Sequence, residues 1–140
     1  KPLGYIDTYD YDGRYITWST DGFAGHIMII EGKFSVNSAR GILIPLDDRT
    51  DIDFDYVKFI LEPVLRKTAK GRRDIDGGDE YTHLPPAMLE DVMIPFPVKA
   101  DSAVDIGAQK EIAGRYKAVQ ACKDGIISQL DILLNQKVIP

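Results

Sequence analysis

Residues Asp105 to Gln136 read DIGAQKEIAGRYKAVQACKDGIISQLDILLNQ, and the rest of the chain is arranged around them. Ile112, Val119, Ile126 and Leu133 recur every seven residues with Tyr116 and Leu130 beside them, so a straight helix carries one narrow apolar seam. At a rise of about 1.5 Å per residue the helix is ~45 to 50 Å long, longer than a domain of 140 residues is wide. Part of it therefore projects or lies along another helix. Gly125, after Asp124, costs roughly 1 kcal/mol relative to alanine and marks a point of possible breakage. Two arrangements satisfy the seam: a terminal helix packed on its own domain, or a rod paired with a helix from elsewhere.

Just upstream, Asp91 to Phe96 reads as a strand ending in Pro95-Phe96-Pro97, where proline stops pairing. Leu84-Pro85-Pro86-Ala87-Met88-Leu89 before it reads as one short helical turn. Thr68 to Tyr81, TAKGRRDIDGGDEY, is glycine-rich and dense in both charges, the mark of a mobile surface loop. Arg66, Lys67, Lys70, Arg72 and Arg73 fall within eight residues at and before its start, either as a solvated helix end or as a patch for phosphate. The preceding helix runs from about Phe54 to Leu65, with Val57, Ile60, Leu61 and Val64 on its apolar face and Pro63 kinking it. Asp51, Asp53, Asp55 and Glu62 imitate calcium-loop spacing. Position six is Tyr56, however, where the sharp turn requires glycine, so the segment reads as a capped helix start.

Toward the N-terminus, Tyr5 to Tyr15 alternates aromatics with aspartate, giving an extended segment, a turn at Asp12-Gly13 and a strand from Arg14 to Trp18. Ser19-Thr20-Asp21-Gly22-Phe23-Ala24-Gly25-His26 is a loop of small, hydroxyl and glycine residues. It is either a tight turn between strands or a place where backbone N–H groups approach an anion. His26 to Ile30 is an apolar strand, Glu31-Gly32-Lys33 a turn, and Phe34 to Val36 the returning strand of a hairpin. Asn37-Ser38-Ala39-Arg40 leads into a further strand, Gly41 to Leu46. The expected fold is α+β: a small mixed or mostly antiparallel twisted sheet with peripheral helices in residues 1–104, then one long C-terminal helix in 105–140.

A length of 140 residues with ordinary apolar and charged fractions describes one globular core. No run approaches 18 apolar residues and no signal peptide opens the chain, so neither a membrane span nor export is expected. The single cysteine, Cys122, cannot form an internal disulfide, which fits a reducing cytoplasm. The chain opens at Lys1 without methionine, which suggests a piece excised from something longer. A net charge of −5 argues against wrapping nucleic acid with the whole surface. The charge is bipolar, though: Asp47, Asp48, Asp51, Asp53 and Asp55 cluster just upstream of the basic run, leaving one face free to be positive. His26 and His83 lack metal-ligand spacing, and neither a nucleophile elbow nor a phosphate-binding Walker loop occurs.

The stretch TWSTDGFAGHIMIIEGKFSVNSARGILIP, then a helix, a charged loop, LPPAMLEDVMIPFPV and AQKEIAGRY opening a long helix, resembles a target recognition domain of bacterial restriction and modification systems. The similar proteins are the type I restriction enzyme specificity subunit and the recognition modules of type IIG enzymes. The likeness runs from about Tyr15 to the end. It rests on the order of Gly22, Gly25, Glu31-Gly32-Lys33-Phe34, Ile94-Pro95-Phe96-Pro97, Gln109 and Ile112-Ala113.

The resemblance implies a non-catalytic module that reads one half of a split double-stranded DNA site. The long helix would pair with that of a second recognition domain, or of a second copy, through Ile112, Tyr116, Val119, Ile126, Leu130 and Leu133. A separate adenine methyltransferase subunit or domain would use S-adenosylmethionine, and the nuclease would lie elsewhere. Phosphate contacts are expected from Lys67, Lys70, Arg72 and Arg73 and from N–H groups near Gly22 and Gly25. Base edges are expected to meet Ser19, Thr20, His26, Asn37, Ser38 and Arg40. Two other classes stay open at this stage: a protein-interaction module that docks through its helix and never meets DNA, and a small hydrolase using a carboxylate with His83.

Overall fold

The computed structural model describes residues 4, 7–47, 49–73 and 80–136. The start of the expected segment from Tyr5, Asp48, the middle of the charged loop at 74–79 and the tail at 137–140 lie outside the described residues. The fold is α+β, with two three-stranded antiparallel sheets in place of the one expected. The first sheet places β1 (Tyr11–Ser19) between β3 (Ile27–Phe34) and β4 (Arg40–Leu43). The second places β6 (Glu80–His83) between β2 (Asp21–Gly22) and β5 (Lys70–Arg73). Helix α1 (Phe54–Thr68) packs against β3, and α2 (Ile106–Asn135) packs against α1.

The core sits between the inner face of the first sheet and α1. Ile16, Trp18 and Ile27 from the strands meet Tyr56, Val57, Leu61 and Leu65 from the helix, a spacing that puts one apolar stripe of α1 inward. Asp53 caps α1, its side chain accepting from the Tyr56 N–H at 2.8 Å. The helix runs past Pro63 and past the expected end at Leu65 to Thr68, where the Ala69 N–H still reaches the Leu65 carbonyl at 2.9 Å. Leu65 is wholly buried, so Leu65→Ala removes apolar contacts and leaves a cavity. It is expected to cost about 2–5 kcal/mol, read as a lower denaturant midpoint at unchanged slope.

Several local expectations give way to longer-range pairing. Asp12-Gly13 makes no turn: β1 and β3 pair continuously from Tyr11↔Phe34 to Trp18↔Ile27, and Gly13 (φ +135°) faces Gly32 (φ +95°) inside the ladder. The same ladder overrides the turn at Glu31-Gly32-Lys33, so Phe34 ends β3 rather than beginning a return strand. Tyr11, Tyr15 and Phe34 close over the glycine gap as a cluster of stacked and edge-on rings. The strand at Gly41 stops at Leu43 rather than Leu46.

Asp91 to Phe96 forms no strand. Val92, Ile94 and Phe96 do alternate onto the core, but Pro95 and Pro97 lack the N–H a ladder needs, and the Pro95 carbonyl accepts instead from the Tyr56 hydroxyl at 2.6 Å. The charged loop is shorter than expected because its flanks pair as β5 and β6. The helical turn is present at Pro86–Leu89.

Helix α2 is continuous through Gly125 for 30 residues, a length of about 45 Å. Asp105 caps it, accepting from the Ala108 N–H at 3.0 Å. Gln109 and Ala113 are buried against the domain, and from Gly114 to Asn135 every residue is exposed. The greater part of the helix thus projects. Among the described residues no helix is long and apolar enough to cross a membrane.

Candidate nucleic-acid interface

Thr20, at the crossing from β1 to β2, joins three parts of the chain. Its N–H donates to the Ala39 carbonyl at 2.9 Å, its carbonyl accepts from the Leu84 N–H at 2.7 Å, and its hydroxyl reaches Asp21 at 2.8 Å and the Ser38 carbonyl at 3.3 Å. Two residues before it, the Trp18 indole N–H donates to the Leu84 carbonyl at 3.2 Å. These bonds bring Ser19, Thr20, Asn37, Ser38 and Arg40 to a single corner, since Ser19 also pairs with Arg40 across the sheet. Thr20 itself is buried and acts as the hinge of that corner rather than as a surface donor.

Asn37 and Ser38 are exposed at the corner. The Asn37 side-chain oxygen accepts from the Ala39 N–H at 3.2 Å, fixing the turn and leaving its amide nitrogen outward-facing chemistry to offer. Arg40 donates to the Thr17 hydroxyl at 3.0 Å, and partial burial lowers its pKa from the ordinary arginine value. It remains a cation at neutral pH with four further N–H donors in a planar fork.

The second sheet extends this surface. Asp21 pairs with His83 and His83 with Lys70, while Arg72 pairs with Tyr81, so alternation puts Asp21, His83, Lys70, Tyr81 and Arg72 on one face. Thr82 and Gly71 point the other way: Thr82 is buried, and a Cβ on Gly71 would lie 2.4 Å from the Tyr81 carbonyl. The His83 Nδ1 lies 2.5 Å from Asp21, and hydrogen bonds from Thr20 and then His83 hold the Asp21 carboxyl below its usual range. Tyr81 is 66% exposed, an aromatic ring with little cover. Asp21, Tyr81 and His83 were not expected as contacts. Their signal is the alternation within Glu80-Tyr81-Thr82-His83, legible only once β5 is known to pair with β6.

The glycine loop takes a different part from the one expected of it. The N–H groups of Ala24, Gly25, His26 and Ile27 donate inward, to Thr82, Ser19, Ser19 and Glu62 respectively. No anion cradle is left at these four amides. Gly25 (φ +84°) is there because α1 passes directly against it: a Cβ would lie 2.8 Å from the Arg66 nitrogen. Gly22 (φ +76°) faces open space, and its carbonyl accepts from the Thr82 hydroxyl at 2.9 Å. The His26 ring sits 3.4 Å from Glu62 and edge-on to Phe23, on the α1 side of the loop.

The basic run divides. Arg66 lies over the Phe23 ring, 3.4 Å from its centroid, and donates to the Ala24 carbonyl at 2.8 Å, which makes it a structural clamp. Arg73 donates to the Arg66 and Ala69 carbonyls, satisfying the end of α1. Lys67, Lys70 and Arg72 are exposed along the end of α1 and along β5. The positive groups Lys70, Arg72 and Arg40 therefore flank the corner built by Thr20.

The apolar hollow lined by Ile16, Leu43, Phe54 and Phe96 carries no titratable side chain, and neither His83 nor Asp21 lines it. Among the described residues no group of three or more His, Cys, Asp or Glu could hold a metal.

On α2 the expected seam divides into two parts. Ile112 packs partly on the core and Tyr116 stacks on Phe59, ring centroids 5.4 Å apart and 11° from parallel. Beyond them Val119, Ile126, Leu130 and Leu133 are 54%, 53%, 52% and 62% exposed, and among the described residues none of the four belongs to the core or packs against it. Ile127, Ile132 and Leu134 are exposed as well.

The family model described as the type I restriction modification DNA specificity domain matches residues 1–136. Among curated proteins, one from Mycoplasma pneumoniae named as a type I specificity subunit is 42% identical over 69 residues, 49% of this chain and 19% of its own length. The type I restriction enzyme MpnII specificity subunit of the same organism is 46% identical over 41 residues, 29% of this chain and 12% of that protein. In overall fold the chain is similar to the S subunit of a type I restriction-modification system from M. genitalium. The TM-score is 0.55 at 17% identity, over 94% of this chain and 32% of that one. This chain thus spans less than a third of each of these relatives. With the family model covering all but its last four residues, the chain belongs to the type I restriction modification DNA specificity domain family.

Proposed function

We propose that this chain is one target recognition domain with its spacer helix, reading one half of a bipartite double-stranded DNA site. It contributes specificity and no catalysis. An adenine methyltransferase subunit carrying S-adenosylmethionine, and a nuclease, act on the site it selects, in the cytoplasm. Residues 1–104 form the reader and residues 105–140 the spacer. The observation that carries the reading is the joining of a polar corner to a projecting helix with an uncovered apolar seam. A seam of this kind is what a second spacer helix requires.

Within the corner, Asn37, Ser38, Arg40, Asp21, His83 and Tyr81 face the bases, and Lys67, Lys70 and Arg72 face phosphates, while Arg73, turned to the end of α1, does not join them. Arginine bidentate to guanine, and the Asn37 amide N–H to a base acceptor such as N7, are the pairings this set of side chains offers in a major groove. The net charge of −5 favours an interface in which the methyltransferase supplies much of the phosphate contact. The same charge is what favours a second reading, a protein-docking module that does not bind DNA.

A duplex titration at two salt concentrations, with and without the methyltransferase subunit, separates the two. Salt-sensitive binding supports the reader, and no binding in either condition supports the docking module. The variant Arg72→Ala is expected to weaken binding to all sequences alike and to reduce the log–log salt slope by about 0.9 for the phosphate no longer neutralised. An unchanged slope removes Arg72 from the interface.

A further inference from the structure

Gln109 is wholly buried, an unusual place for a glutamine, and both ends of its amide are bonded to backbone outside its own helix. Its oxygen accepts from the Asp53 N–H at 2.9 Å, and its nitrogen donates to the Asp51 carbonyl at 2.9 Å. Asp53 is the N-cap of α1, and Gln109 lies in the first turn of α2, so this one amide ties together the starts of the two helices.

The other contacts of α2 with the domain follow at helical spacing on the same side. Ala113 is buried, its small side chain letting α1 come close. Tyr116 stacks on Phe59, and Lys117 lies 2.7 Å from Asp55, which Arg14 approaches at 3.7 Å. Residues 109, 112, 113, 116 and 117 make one stripe, and Ile112 and Tyr116 at its edge lead into the exposed part of the seam that begins at Val119. Beyond Lys117 every residue of α2 is exposed, so this short joint sets the direction of the whole lever. The lever from residue 118 to 135 is about 27 Å long, so a swing of about 10° at the joint moves its tip by about 5 Å, more than the roughly 3.4 Å rise of a base pair.

We infer that Gln109 is the positioning residue that fixes the angle at which α2 leaves the reader, and through it the number of base pairs between the two half-sites. The inference rests on the proposed reading of this chain as a half-site reader on a spacer. Gln109 touches no base. Lys117 and Tyr116 are weaker restraints on the same angle, one an exposed ion pair and the other a ring contact open on one side. The buried bidentate amide is the restraint with a single geometry.

The test compares the full chain, assembled with its methyltransferase subunit, against Gln109→Ala in selection from a duplex library of two randomised half-sites with gaps of varied length. The expected result is the same enriched half-site for both proteins, one dominant gap length for the parent, and enrichment spread over at least two neighbouring gap lengths for the variant. A loss of folding alone lowers all binding and leaves the gap preference unchanged. In parallel, spin labels at Glu31→Cys and Ser128→Cys in a Cys122→Ser background, diluted with unlabelled chain, report the reader-to-rod distance without DNA. Its distribution is expected to broaden at least twofold in Gln109→Ala. Should that variant not fold, Gln109→Glu, which keeps the length and the acceptor but not the donor, is read in its place against the same outcomes. An unchanged gap preference together with an unchanged distance distribution overturns the inference. Failure of the parent to enrich any half-site overturns instead the reading on which it rests, whatever the distances show.

Discussion

A chain carrying Val119→Asp, Ile126→Asp and Leu130→Asp keeps its thermal transition and loses helix pairing. The three parent side chains are about half exposed and, among the described residues, lie outside the hydrophobic core, so folding of the single chain is not expected to depend on them. Pairing does. Completing the burial of each contributes on the order of 1 kcal/mol, and a carboxylate in its place must be desolvated against an apolar partner. Together these changes exceed about 4 kcal/mol, a loss of at least roughly 1000-fold in association. Sedimentation equilibrium of parent and variant measures it, with a melting curve as control. A variant that associates as well as the parent removes the seam from the interface, and one that melts far lower shows the seam to be part of the domain's own core.

Gly41→Ala is expected to unfold the reader. Gly41 lies opposite Trp18 in the first sheet, and a Cβ there would sit 2.2 Å from the indole ring. The ring cannot move aside cheaply, because it is buried and its N–H is bonded to the Leu84 carbonyl. Displacing it opens the joint between the two sheets and leaves that carbonyl without its partner. Overpacking and a lost buried hydrogen bond together cost about 3–5 kcal/mol. A fall in Tm of more than about 10 °C is the expected size for a domain of this length. Gly114→Ala is the contrast: nothing lies within 4 Å of its added Cβ, and alanine in a helix interior is worth up to about 1 kcal/mol. The same methyl group thus destabilises at one glycine and stabilises at the other.

The two helices were legible because each carries its own period and its own cap. Asp53 and Asp105 sit where the caps are, and the seven-residue repeat in α2 is a property of that segment alone. The sheets were less legible. Asp12-Gly13 and Glu31-Gly32-Lys33 both carry turn chemistry, but each meets the other across eight consecutive strand pairs, and the ladder outweighs the local preference. The second sheet depends on pairing between residues about 60 positions apart, Asp21 with His83, which no local pattern announces. For the interface, the exposed cations and the polar Asn37–Ser38 pair could be read directly from the chain. That Thr20 is buried, that four loop amides point inward and that Tyr81 and His83 face out could not, because each depends on which strand lies alongside.

The most direct test of a reader mounted on a projecting helix is hydrogen exchange along α2 as a function of protein concentration. A helix without tertiary packing is marginal in water, and this one has a glycine at position 125. Amides from residue 118 to 135 are expected to exchange fast in dilute protein and to become protected as concentration rises or as the methyltransferase subunit and a second recognition domain are added. Amides from 109 to 117 stay protected throughout. Strong protection of 118–135 that does not change with concentration, or no protection in any mixture, contradicts the account.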